Sequence, residues 1–191
     1  MPTVVVPFRS GGKSRLPVEL RVAVALAMLG DVLDAAATYA DRVLLVTDDD
    51  SSMLIAESFG ATIVADPGGG QGAAVLAAVT GLEGPCVVLN ADLPCVTPEA
   101  IARLSTQSPA FVAAADGTTN ALSLPDATLF EPLYGAGSAA RFAAVGLSQV
   151  SIIELEQDVD TVADLETLAR PVGPRTSVVL NQHKRALERT S

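Results

Sequence analysis

Short apolar runs alternate along this chain with longer stretches of helical spacing. Val4–Pro7 reads as a strand. Across Val18–Tyr39, the residues Val22, Leu26, Leu29, Leu33 and Ala36 recur at three- and four-residue intervals and predict a long helix. Arg42–Thr47 is a second strand, and Ser51–Phe59 a helix stopped by Gly60 where a left-handed residue would end it. Ala61–Ala65 is a third strand, followed by a glycine loop over Pro67–Gly70 and an alanine-rich helix to about Gly81. Pro85–Asn90 is apolar almost throughout, the pattern of a strand covered on both faces. Thr97, Pro98 and Glu99 then supply a cap, a first-turn proline and a first-turn acid for a helix.

Beyond a strand at Ala110–Ala115 the rhythm loosens. Gly117–Pro125 and Phe130–Gly137 are rich in loop residues, with a strand predicted through Ala121–Leu124. Ser138–Val145 is helical, Val150–Leu155 reads as another strand, and Thr161–Asp164 resembles a capping box opening a last helix to about Ala169. Pro171–Pro174 ends that helix, and the remainder reads as a peripheral tail. Repeated strand–helix units predict an α/β fold, a three-layer α/β/α sandwich with a mostly parallel sheet. We expect one domain over residues 1–170 and a C-terminal extension over 171–191. In such sheets ligands bind beyond the carboxyl ends of the strands, where the loops of this chain carry its chemistry.

The composition narrows the classes. The chain has 191 residues, 49% of them hydrophobic, so it can bury a core and is not disordered. Aromatic residues make up 4% and Trp is absent, which disfavours binding of single-stranded nucleic acid by base stacking. A net charge of −10 argues against nucleic acid or an anionic membrane as partner. No apolar run is long enough to span a bilayer, and the start lacks a signal-peptide pattern. Cys86 and Cys95 lack CxxC spacing and read as small buried hydrophobes in a reduced, cytoplasmic setting. The oligomeric state, a homodimer included, is left open.

Several loops could do chemistry. In VVVPFRSGGKSRL (residues 4–16) a strand breaks at Gly11-Gly12, and the loop carries Arg9, Lys13 and Arg15 into a helix. That is how proteins hold phosphate on backbone N–H groups, although neither the Walker pattern nor GxGxxG is present. The alternative is a solubilising loop after an edge strand. Asp92 directly follows the apolar strand in NADLP, with Pro94 fixing the backbone, where a Mg²⁺ ligand or a turn aspartate would sit. Asp158-Val159-Asp160 offers a second acidic site, with Asp160 as a metal partner for Asp92 or as turn chemistry ahead of Thr161.

Asp66-Pro-Gly68-Gly69-Gly70 would let backbone approach a flat or charged ligand, or serve as a plain turn. Thr118-Thr119-Asn120 and Gly135-Ala-Gly137-Ser138 offer hydroxyls and an amide, and Ser138 could cap its helix or bind an anion. Asp48-Asp49-Asp50 reads as a solvated helix start. The only histidine, His183, lies in the tail, so no Ser/His/Asp triad is available.

Taken in order, KSRL (13–16), DPGGG (66–70), NADLP (90–94), TTNALSL (118–124), YGAGS (134–138) and DVDTVADL (158–165) resemble one family over about residues 3–170. It is the 2-phospholactate guanylyltransferases with their phosphoenolpyruvate-using members, which serve coenzyme F(420) biosynthesis. The wider group is the nucleotidyltransferases related to the molybdenum cofactor guanylyltransferase, with a Rossmann-like sandwich. The resemblance implies transfer of GMP from GTP to the phosphate of a three-carbon acid, with release of pyrophosphate. It implies that Pro7, Arg9, Gly11, Gly12 and Lys13 bind the triphosphate, with Lys13 and Arg15 offsetting charge at the α-phosphate. Asp92 and Asp160 would hold Mg²⁺, and Asp66, Gly68, Gly69 and Gly70 would take guanine and ribose. Thr119, Asn120, Gly135 and Ser138 would hold the acid. Another nucleotidyltransferase of that group, acting on a sugar phosphate or molybdopterin, or a non-catalytic nucleotide-binding module, would share many of these features.

Three features depart from the family pattern: Pro7–Lys13 is compact, Gly72 stands where relatives commonly have Asn, and Phe142 where many have His.

Overall fold

The computed structural model describes residues 2–9, 18–161, 164–165 and 167–188. The Gly11, Gly12, Lys13 and Arg15 expectations therefore lie outside the described residues. Among the described residues, seven strands form one sheet in the order β3-β2-β1-β4-β6-β5-β7. They are β1 (Thr3–Pro7), β2 (Arg42–Thr47), β3 (Thr62–Ala65), β4 (Cys86–Leu89), β5 (Ala110–Ala113), β6 (Thr119–Leu124) and β7 (Ser148–Gln149). β1 to β4 pair in parallel, β6 runs antiparallel to both β4 and β5, and β7 is parallel to β5. β6 is thus the one reversed strand of a mostly parallel sheet.

β1, β2 and β4 read as largely apolar runs because both faces are covered. Val4, Val6, Leu45, Val87 and Leu89 pack on one face against α1 (Val18–Tyr39) and α4 (Pro98–Thr106), through Leu29, Leu33, Ile101 and Leu104. Val5, Leu44, Val46 and Val88 point to the other face, against α3 (Gln71–Val79) and α5 (Ser138–Ala144), through Val75, Val79 and Phe142. The alternation follows from the two-residue period of a strand. Each fully buried aliphatic side chain of this kind contributes roughly 1.5–3 kcal/mol of transfer free energy.

Several local readings hold. Asp49 caps α2 (Asp50–Ser58), its carboxylate accepting from Ser52 N at 2.8 Å. Thr97 caps α4 by accepting from Ala100 N at 3.1 Å, with Pro98 in the first turn. Asp164 accepts from Thr161 N at 2.6 Å while Thr161 Oγ1 accepts from Asp164 N at 3.2 Å, a reciprocal capping pair. Both cysteines are free and buried, and burial pushes the Cys86 thiol up to about 12 and the Cys95 thiol up to about 11.

Two readings are corrected. The strand expected at Val150–Leu155 is absent: after β7 the chain forms a short helical turn, α6 (Ile153–Glu156). Val150 N still donates to Phe111 O at 2.9 Å, but Leu155 N then bonds back to Ile152 O at 2.8 Å. Ile152 and Leu155 both reach the core three residues apart, so an apolar run that reads as alternating serves a helical turn equally well. The strand expected at Ala121–Leu124 begins two residues earlier, so Thr119 and Asn120 belong to β6.

Residues 174–188 form α7 (Pro174–Glu188), whose Val179 and Leu180 pack beside Leu20, Val24 and Met28 of α1 and beside Val159. Among the described residues, no helix is long and apolar enough to cross a membrane.

Candidate active site

A cavity of about 230 Å³ opens at the carboxyl ends of β1 and β4. It is bordered by Pro7, Phe8 and Arg9 after β1, Asp66 after β3, Gln71 at the start of α3, Asn90 and Asp92 after β4, and Asp160. Ala25 and Met28 of α1 and Ala74 of α3 form its apolar walls. The fold thus gathers five of the residues expected from the sequence, Pro7, Arg9, Asp66, Asp92 and Asp160, around one opening.

Arg9 and Asp66 meet directly. The Arg9 guanidinium donates through Nε to Asp66 Oδ2 at 2.5 Å and through Nη2 to Oδ1 at 2.8 Å, a two-point pairing of planar groups. The hydrogen bond from Arg9 holds the Asp66 carboxyl below the usual carboxylate range, and the same bond raises the guanidinium. Asp66 Oδ1 also accepts from Gly68 N at 2.9 Å, which closes the turn into the glycines. Gly68, Gly69 and Gly70 have φ of 79°, 84° and 98°, a run that residues with a Cβ would strain to adopt.

Gly72 is explained by packing. A Cβ there would lie 3.0 Å from Pro132 O and 3.1 Å from Pro132 Cβ, so the helix start sits directly on the Pro132 backbone. The amide facing the cavity comes instead from Gln71. Phe142, the other departure, is a core residue whose ring stands edge-on to Tyr134 at 5.3 Å and tilted to Phe111 at 6.4 Å.

Asp92, Asp158 and Asp160 each bring one carboxylate oxygen within 4.8 Å of the others, all three half-buried. One backbone bond sets this up, Val159 N donating to Asp92 O at 3.1 Å. Val159 itself is buried against Leu20, Val24 and Met28, while the aspartates on either side of it join the cluster. Burial, and then the neighbouring Asp92 carboxylate, push the Asp158 carboxyl up to about 6, against a hydrogen bond from Asn120 that lowers it. Crowded anionic oxygens of this kind are what a hard divalent cation neutralises, and carboxylate oxygen is the donor Mg²⁺ selects.

Asp158 is the residue that reading Asp160 alone misses. The available signal was its place one residue before Val159, since an extended D-x-D presents both acids to one side. Asn90 and Gln71 were also passed over; they are polar groups at a strand exit and a helix start, both facing the ligand edge.

Thr119, Asn120 and Ser138 are almost fully buried. The Ser138 hydroxyl lies 3.0 Å from Thr119 Oγ1, and Gly137 rather than Ser138 occupies the cap position of α5. Gly135, with φ of 111°, precedes that helix, and Ala139 N bonds Gly117 O at 3.2 Å, which ties the segment to the β5–β6 turn. Among the described residues these four do not border the 230 Å³ cavity.

Residues 10–151 match the MobA-like NTP transferase domain. The phosphoenolpyruvate guanylyltransferase of Streptomyces coelicolor is 41% identical over 93% of this chain and 94% of its own length. The chain belongs to the phosphoenolpyruvate guanylyltransferase family. It is a nucleotidyltransferase. The enzyme of that name from Mycobacterium marinum is 34% identical, with 86% of this chain and 83% of that protein covered. Among solved structures, a protein described as a nucleotide-diphospho-sugar transferase from Desulfovibrio desulfuricans superposes with a TM-score of 0.74 at 17% identity. That match covers 99% of this chain and 98% of the other. A CMP:2-keto-3-deoxy-manno-octonic acid synthetase complexed with CTP gives 0.58 at 14% identity, over 95% of this chain and all of the other. The two structural likenesses establish the shared fold.

Proposed function

We propose that the protein transfers GMP from GTP to the phosphate of phosphoenolpyruvate or 2-phospho-L-lactate, releasing pyrophosphate, in a Mg²⁺-dependent step of coenzyme F(420) biosynthesis. The observation that carries this reading is the gathering of Asp92, Asp158 and Asp160 beside the cavity that Arg9, Asp66 and Gln71 also border. Relatives named phosphoenolpyruvate guanylyltransferase over most of their length support the nucleotide and the acceptor.

The oxygen-only donor set fits Mg²⁺, and Asp92, Asp158 and Asp160 would hold it. When bound, the ion supplies positive charge against the charge that builds on the α-phosphate and the departing pyrophosphate. The remaining work falls to the chain. The Asp66–Gly70 loop receives guanine and ribose, with Gly68–Gly70 offering side-chain-free backbone. Pro7, Arg9, Gly11, Gly12 and Lys13 hold the triphosphate, and Lys13 and Arg15 place cations near the reacting phosphorus. Asp66 anchors Arg9 at the cavity edge, which lowers the entropy cost of using so long a side chain. Thr119, Gly135 and Ser138 form the acceptor side. An oxygen of the acceptor phosphate attacks the α-phosphorus, the bond to the β-phosphate breaks, and pyrophosphate leaves with the electron pair. Alignment of two bound phosphates needs no protein nucleophile.

The test is pyrophosphate release with GTP and Mg²⁺, offering phosphoenolpyruvate and 2-phospho-L-lactate separately and ATP as control. Release that requires GTP and one of the acids is expected. Folded protein that binds GTP yet releases nothing with either acid would shift the acceptor to a sugar phosphate or molybdopterin. Failure to bind GTP would overturn the reading.

A further inference from the structure

We propose that Asn120 is a positioning residue for the metal-binding carboxylates: its side-chain amide holds Asp158 and, through Asn90, ties that carboxylate to Gln71 beside the glycine loop. The proposal rests on the metal reading above and gives Asn120 a role in place of the acceptor contact that the family resemblance implies.

Asn120 is the second residue of β6 and is 1% exposed. Its Nδ2 group donates to Glu156 O at 3.0 Å and to Asp158 Oδ1 at 3.3 Å. Both amide hydrogens are thereby committed to the segment that leads into the acidic loop. Its Oδ1 accepts from Asn90 Nδ2 at 3.4 Å, and that same Asn90 amide NH₂ also donates to Thr119 O at 3.3 Å. Asn90 Oδ1 in turn accepts from Gln71 Nε2 at 2.6 Å. The side chains form a directed series, Gln71 to Asn90 to Asn120 to Asp158, each donating to the next and ending on a group that only accepts.

The orientation is fixed at every step. Turning the Asn120 amide over would aim its oxygen at the Glu156 carbonyl and the Asp158 carboxylate, and its NH₂ at the NH₂ of Asn90. The backbone reinforces the arrangement, since Asn90 N donates to Asn120 O at 2.9 Å just past the β4–β6 pairing. An Asn so enclosed has no amide hydrogen left for a substrate. Partners that orient metal ligands in this way typically change metal affinity by about ten- to a hundredfold when removed.

The experiment measures Mn²⁺ affinity of the purified protein without nucleotide, from the electron paramagnetic resonance signal of free Mn²⁺, for wild type, Asn120→Ala, Asp158→Ala and the double variant. Asn120→Ala is expected to weaken Mn²⁺ binding about ten- to a hundredfold. In the Asp158→Ala background the same change should alter affinity less than about twofold, because no carboxylate remains to be positioned. Asn90→Ala, which leaves both Asn120 donors in place and removes only the partner of its oxygen, should give a smaller loss in the same direction. It replaces Asn120→Ala if that variant does not fold.

Unchanged Mn²⁺ affinity with a raised KM for the three-carbon acid would make Asn120 a substrate residue and overturn the proposal. If Asp158→Ala and Asp92→Asn both bind Mn²⁺ as wild type does, the metal reading fails, and the proposal with it.

Discussion

Asp31 and the Asp92–Asp158–Asp160 group place negative charge inside the same fold in opposite ways. Asp31, on α1, is 5% exposed, and its two oxygens accept from the backbone of α7, from Arg175 N at 3.0 Å and Thr176 N at 2.9 Å. It serves as a remote cap, an anion at the positive end of a helix dipole. Glycine at 173 permits the approach, since a Cβ there would fall 2.3 Å from Asp31 Cγ. The Arg175 guanidinium then reaches Asp34 at 3.4 Å and lies 4.7 Å over the Phe59 ring. At the acidic cluster, by contrast, the charges face one another within 4.8 Å. The first arrangement spends its charge on holding a helix. The second gathers three carboxylates beside the cavity, a donor set of oxygen alone.

The contrast can be broken at four points. Asp92→Asn should lower turnover by at least ~100-fold while circular dichroism and the melting profile stay native, because it removes charge and keeps shape. Near-normal turnover would remove Asp92 from the metal assignment. Asp31→Ala should cost about 2–3 kcal/mol in urea unfolding, as two N–H groups lose a charged acceptor in a buried place. A loss below ~0.5 kcal/mol would mean that α7 is held by its apolar contacts alone.

For wild type, saturating Mg²⁺ should stabilise the fold by ~2–3 kcal/mol, read as a rise of several degrees in Tm, and by much less in Asp92→Asn. Asp158→Asn should act with the opposite sign to Asp31→Ala. In chelator-treated protein at neutral pH it should raise stability by on the order of 1 kcal/mol, since it relieves like-charge crowding in a partly buried site. A destabilised Asp158→Asn would show that the cluster is already neutralised by other groups.

The regular half of the sheet was legible from pattern. β1 to β4 lie within a residue or so of where their apolar runs predict, and β1, β2 and β4, covered on both faces, have little latitude in composition. The other half was less so. Ser148–Glu156 offers apolar residues at both two- and three-residue spacing, and only contact with the core selects a two-residue strand followed by a helical turn. Asp92 was visible because a buried strand ends just before it. Asp158 was obscured because Asp160, beside a capping threonine, has the more familiar setting.

By itself the sequence determined the fold class, the sheet edge at which the cavity opens and the loops that carry its charges. These depend on local periodicity and on residues with few conformational choices, Gly68–Gly70 and Pro94 among them. The tertiary structure alone decided the pairings: Arg9 with Asp66, Asp92 with Asp158 and Asp160, Asn120 with Asp158, and Asp31 with the start of α7. Inserting the reversed strand β6 between β4 and β5 brings Asn120 alongside Asn90 and within reach of Asp158. Separation along a chain fixes no distance in space until the sheet order is chosen, and that order is set by burial of the whole core.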